Sequence, residues 1–78
     1  MKIRYFATLR DLSGVEEEEY LVLKEPTVEK VFSELKARHP ALNSQKNVLF
    51  AVNEKFADPK TKVKNDDVLA VFPPVSGG

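Results

Sequence analysis

The sequence predicts an α+β domain: a mixed sheet with one main helix packed on one face. Three observations carry this. The N-terminal residues alternate between apolar and polar side chains. A single segment, beginning near Val28, has helical periodicity. The run Val68-Leu69-Ala70-Val71-Phe72 is apolar at every position. At 78 residues the chain is long enough for one domain with one modest core.

Residues 2–8 read as a strand. Ile3, Tyr5 and Ala7 share one face, and Lys2, Arg4, Phe6 and Thr8 share the other. Residues 9–14 read as a loop or short turn that breaks at Ser13-Gly14. A second strand, expected over 17–23, pairs with the first as a hairpin. Thr27 is the expected N-cap of the helix, because its hydroxyl can accept from a free N–H of the first turn. Val28, Val31, Phe32 and Leu35 fall at i, i+3, i+4 and i+7 and form one apolar face. Lys36, Arg38 and His39 suit the negative end of the helix dipole, and Pro40 ends the helix.

Leu42 is the expected anchor of the connection over 41–46. A third strand is expected over 48–53, followed by a turn at Asn53-Glu54-Lys55 and a short strand at Phe56-Ala57. Turns follow at Asp58-Pro59-Lys60 and at Lys64-Asn65-Asp66-Asp67. The apolar run 68–72 is the last strand, and its lack of a polar face places it centrally. The element order by itself fits several small α+β folds; a hairpin, a helix crossing the sheet and a final strand beside the first are expected to make the β-grasp, or ubiquitin-like, arrangement. The expected organisation is a β-grasp domain over 1–72 and a flexible C-terminal tail over 73–78.

Composition narrows the function. Twelve basic and twelve acidic residues cancel, which gives no support to nucleic acid as a partner. The absence of cysteine removes disulfides, a thiolate nucleophile and cysteine-ligated metal. One histidine, His39, gives no metal site and no Ser/His pair; it reads as a helix-end residue. No apolar run reaches membrane-spanning length, and the N-terminal residues lack a signal-peptide layout. A cytoplasmic protein without a membrane partner is expected.

The most informative stretch is Pro73-Pro74-Val75-Ser76-Gly77-Gly78. Two prolines keep the exit from the sheet extended and unable to continue pairing. Two glycines let the backbone enter a narrow channel. Six residues at about 3.3 Å each reach on the order of 20 Å beyond the body. A frayed end and a working tail are both compatible with this spacing. Gly77 and Gly78 are expected to gain order only inside a partner's channel.

The ending Phe72-Pro73-Pro74-Val75-Ser76-Gly77-Gly78 resembles that of the small subunits of molybdopterin synthase, within the ubiquitin-like sulfur carriers. The opening run from Phe6 to Gly14, Pro26-Thr27-Val28, Ala51-Val52-Asn53 and Asn65-Asp66-Asp67-Val68 match the same family in order; Asn65 stands where Gly or Asp is common. The resemblance covers essentially the whole chain. It implies a protein with no active site of its own, which serves as the sulfur-donor subunit. An adenylating enzyme related to the ubiquitin-activating enzymes uses ATP to activate the Gly78 carboxylate, and a sulfur donor converts it to a thiocarboxylate. The tail, with Gly77, then inserts into the large synthase subunit and gives sulfur to precursor Z (cyclic pyranopterin monophosphate) in molybdenum cofactor biosynthesis. No cofactor is bound permanently. A sulfur carrier of another pathway such as thiamine thiazole synthesis, a ubiquitin-like protein modifier, and a non-catalytic interaction module stay open as alternatives.

Docking residues follow from parity and from the resemblance. Phe6 is an aromatic on the polar face of the first strand and a candidate anchor. The last strand must turn either Val68, Ala70 and Phe72 or Leu69 and Val71 away from the helix. Phe50 is a candidate from the third strand, at a register the sequence leaves open. Arg10 can pair with a partner carboxylate. Phe72, Pro73, Pro74, Val75 and Ser76 complete the expected contact segment. The acidic run 16–19 reads as solvated charge.

Overall fold

A computed structural model describes residues 1–74. The strands are β1 (Lys2–Tyr5), β2 (Glu17–Glu19), β3 (Leu49–Val52), β4 (Lys55–Ala57) and β5 (Val68–Phe72). The helices are α1 (Ala7–Ser13) and α2 (Val28–Arg38), with a 3-10 turn at Pro40–Ser44. The sheet order is β2-β1-β5-β3-β4. β5 lies between β1, to which it is parallel, and β3, to which it is antiparallel. The apolar last strand is therefore central, beside the first, as its composition predicts. This is the β-grasp order.

Helix α2 forms as its periodicity requires. The Thr27 hydroxyl accepts from the Lys30 N–H at 3.3 Å, and Val28, Val31, Phe32 and Leu35 are buried. They pack with Ile3, Tyr5, Leu69 and Val71 from the inner face of the sheet. Leu42 anchors the 3-10 turn in the same core. Burying side chains of this size is worth about 1.5–3 kcal/mol each.

Four expectations are corrected. The first strand stops at Tyr5, and Ala7 is exposed at the start of α1 instead of facing the core. The loop expected over 9–14 is that helix. It has no side-chain cap at Phe6, and burial of Leu9 holds it against the body. Gly14, at φ 79°, ends it by donating its N–H to the Arg10 carbonyl at 3.0 Å. The second strand covers only Glu17–Glu19 and pairs antiparallel with β1. Beyond it Tyr20 donates its N–H to the Met1 carbonyl and accepts from the Met1 amine, both at 2.8 Å. Leu21 and Leu23 are left exposed.

The fourth correction concerns the acidic run. Glu18 pairs with Ile3 in the β1–β2 register and so faces inward. It accepts from the Tyr5 hydroxyl at 2.5 Å and from Arg38 at 2.8 Å, and lies 2.7 Å from His39 Nε2. Burial alone raises this carboxyl's pKa, but the hydrogen bonds from Tyr5, Arg38 and His39 outweigh it and hold the group below the usual range. Burial, followed by the bond to Glu18, pushes the Tyr5 phenol up. Tyr20 donates to Glu34 in a similar way, and burial followed by that bond raises it to about 12. His39 remains the helix-end residue its position predicts, capping α2.

Candidate docking site

The outer face of the sheet is set by strand parity. Leu69 and Val71 are fully buried, so Val68, Ala70 and Phe72 turn away from α2. The β1–β5 register places Lys2 beside Val68 and Arg4 beside Ala70 on that outer face. The β3–β5 register adds Leu49 beside Phe72 and Ala51 beside Ala70. Ala51 in turn faces Phe56 across β3 and β4. Phe56 is 82% exposed, with its ring 5.9 Å from that of Phe72.

Phe6 leaves β1 on the same side and is 40% exposed. It sits at the junction with α1, where Ala7 has φ 51°. A left-handed backbone at a residue with a Cβ costs on the order of 1 kcal/mol. The turn opens a groove of about 930 Å³ across the outer face. Phe6 lines one side, Val68, Ala70 and Phe72 form the floor, and Pro73 and Pro74 close the end where the C-terminal segment departs. The Arg4 guanidinium lies 5.4 Å from the Phe6 ring centre, and its Nε is 3.8 Å from Glu17.

The turn between β3 and β4 supplies the remaining wall. Asn53 and Glu54 have φ 51° and 70°, the pair of positive angles of a mirror-image type I turn. Asn53 is locked there. Its side chain donates to Asp67 Oδ1 and accepts from the Val68 N–H, both at 2.9 Å. Asp67 accepts the Lys64 backbone N–H at 2.7 Å; that bond first, then the Asn53 amide, holds its carboxyl below the usual range. Glu54 then lies on the groove. Asn65 Oδ1 accepts from both the Met1 amine and the Val22 N–H at 3.1 Å.

The expected docking residues divide in three. Phe6, Phe72, Pro73 and Pro74 meet at the groove. Phe50 does not join them. Its register with Val71 turns it inward, where it is 7% exposed and packs edge-on against Phe32 at 5.3 Å. It is a core residue and is withdrawn from the docking set. Arg10 is exposed in the last turn of α1 and does not line the groove. Val75, Ser76, Gly77 and Gly78 lie outside the described residues.

Sequence reasoning passed over Arg4, Glu54 and Phe56. Phe56 was within reach: a two-residue hairpin after Val52 fixes the Ala51–Phe56 pair, and an outward Ala51 carries Phe56 outward. Glu54 gives no such signal, because an acidic residue in a turn looks like ordinary solvated charge. Among the described residues no group of three or more His, Cys, Asp or Glu is placed to hold a metal, and no helix is long and apolar enough to cross a membrane.

Comparison with known proteins places the chain in a family. The ThiS family matches residues 3–78. The molybdopterin synthase sulfur carrier subunit of Chlamydomonas reinhardtii is 36% identical over 81 residues, covering 100% of this chain and 98% of the relative. That of Arabidopsis thaliana is 37% identical, covering 100% and 82%. The crystal structure of SAMP1, the small archaeal modifier protein 1 of Haloferax volcanii, superposes with a TM-score of 0.86 at 30% identity, over 100% of this chain and 98% of that one.

Proposed function

The chain belongs to the ThiS family, and from that membership we propose that it is the sulfur-carrier subunit of a molybdopterin synthase. The reacting atom is the Gly78 carboxyl carbon. An ionised carboxylate resists nucleophilic attack at neutral pH. A ubiquitin-activating-like enzyme therefore joins it to AMP from ATP, releasing pyrophosphate. A sulfur donor displaces AMP and leaves a thiocarboxylate. In the large synthase subunit the sulfur replaces an oxygen substituent on a carbon of precursor Z, and water cleaves the bond between that sulfur and the Gly78 carbonyl carbon, which regenerates the carboxylate for another round.

The carrier supplies no acid or base to this chemistry. It supplies placement. A reactive atom held in a partner's site reacts as though at high effective concentration. Docking of the outer face fixes the body, Pro73 and Pro74 direct the chain away from it, and Gly77 and Gly78 enter the channel. The observation that carries this reading is the junction of the two parts: the apolar groove ends at the prolines where the C-terminal segment leaves. One groove at one exit also means that the large subunit and the activating enzyme use overlapping surfaces and compete.

Intact mass spectrometry after incubation with the activating enzyme, ATP and a sulfur source tests the reading. The expected mass change is one oxygen replaced by one sulfur, absent when Gly78 is deleted. Normal pterin sulfuration by the Gly78 deletion contradicts it. The likeness to SAMP1 favours a second use of the same activated terminus, transfer to a lysine amine of another protein. Conjugates linked through Gly78, formed in place of the thiocarboxylate, would support that reading.

A further inference from the structure

The described residues contain three positive-φ positions other than glycine: Ala7, Asn53 and Glu54. Asparagine tolerates this backbone, and here its side chain is locked by Asp67 and Val68. Ala7 and Glu54 have no such excuse, and both line the groove. Glycine is the residue that the second position of this turn favours. The chain instead places a carboxylate there, in a strained conformation, beside an apolar floor. Strain of this kind concentrates at functional positions.

The charges around the groove are unequally satisfied. Arg4 already faces Glu17 and stacks over Phe6. Asp67 is bonded to Asn53 and Lys64. The Glu54 side chain is exposed and has no hydrogen bond or ion pair among the described residues. Strand order puts it across β5 from Arg4. Lys2 and Arg4 share the Glu17 carboxylate on the β1 side, at 3.6 and 3.8 Å, so the one acidic group without a partner among the described groove residues is Glu54, on the side away from β1.

We propose that Glu54 is a specificity-determining residue of the docking face, pairing with a lysine or arginine that the partner protein presents next to the apolar group it seats on Val68, Ala70 and Phe72. This rests on the carrier reading, and the occupant is the large synthase subunit. Complementary charge at the edge of an apolar contact fixes register and speeds association more than it adds raw affinity. A basic group there excludes partners that cover the same floor with an acidic or wholly apolar edge.

The experiment titrates the purified large subunit with the full chain, with Glu54→Gln, with Glu54→Lys and with Glu54→Gly, at low and at moderate salt, recording association rates and thermal unfolding. Glu54→Gln keeps size and removes charge; it is expected to bind about fivefold more weakly at low salt, mainly through slower association, with a flatter salt dependence. Glu54→Lys loses more. Glu54→Gly relaxes the backbone, so it unfolds no earlier than the wild type yet loses the same affinity as Glu54→Gln, a combination that a purely structural role does not produce. Phe6→Ala serves as the control for the floor. If the wild type and Phe6→Ala differ while Glu54→Gln binds like the wild type at both salts, this inference fails and the carrier reading stands. If the wild type does not bind the large subunit at all, both fail.

Discussion

The two faces of the sheet are built from the same strands and do opposite things. Along β5, Leu69 and Val71 are fully buried beneath α2, while their neighbours Val68, Ala70 and Phe72 are partly exposed on the groove. The inner face resolves its polar groups: no buried side-chain nitrogen or oxygen lacks a partner among the described residues, and even the inward Glu18 has Tyr5, Arg38 and His39 around it. The outer face leaves Phe6 and Phe56 uncovered, and strained backbone stands at both of its walls. A small domain has little burial to spare. Contiguous apolar surface left open beside Pro73 and Pro74 is surface of the kind that marks a partner site.

Single substitutions can break this contrast. The largest effect on stability is expected inside. Leu69→Ala opens a cavity beneath α2 and should cost about 2–5 kcal/mol, whereas Val68→Ala, one residue earlier on the outer face, should cost well under half as much. Chemical denaturation of both variants measures the difference. Equal losses would mean that the outer face is packed as part of the core.

Next comes the inner polar cluster. Glu18→Gln replaces a carboxylate whose side chain is 16% exposed and removes the charged acceptor of Arg38, for an expected loss on the order of 1–3 kcal/mol. The pH dependence carries the same signature. The folded carboxyl sits below its ordinary 4.5, so its contribution is present above that pH and is lost as pH falls through the lowered folded value. The phenols act at the other end. Tyr5 and Tyr20 are raised from 10.0, so their contribution is intact below pH 10 and is lost as pH rises from there toward their folded values. Unfolding curves across both limbs check this. Tyr5→Phe should flatten the alkaline limb, and an unchanged limb would place the effect elsewhere.

The smallest stability effect is expected at Phe6, where the change is in binding. Phe6→Ala should weaken the large subunit and the activating enzyme by about 1 kcal/mol or more each, with little shift in melting temperature. A collapse of stability would make Phe6 a core residue.

What the sequence reveals depends on how local the deciding interaction is. The buried face of α2 is legible because four apolar residues at helical spacing have one solution. The central place of β5 is legible because an apolar strand is better paired on both edges than left at a solvated edge of the sheet. Phe50 is not: a short apolar run at 48–52 has no parity of its own, and its inward turn is set by the pairing with Val71. Helix α1 is hidden for another reason. Its seven residues are too few for a periodic signal, Phe6 caps it with no side-chain bond, and its hold on the body is the tertiary burial of Leu9. Glu18 looks like its three acidic neighbours until Arg38 and His39, twenty residues on, meet it. The groove itself follows from one inference that parity does permit: one helix cannot cover both faces of a sheet.

The account stands or falls on which side chains the partner touches. Val68, Leu69, Ala70 and Val71 are consecutive methyl-bearing residues whose side chains alternate between the two faces. A methyl-labelled sample titrated with the large synthase subunit reads both faces in one spectrum. Large shifts at Val68 and Ala70, with Leu69 and Val71 close to their free positions, are the predicted result. Uniform shifts along the strand, or none at Val68 and Ala70 when the complex has formed, would contradict it.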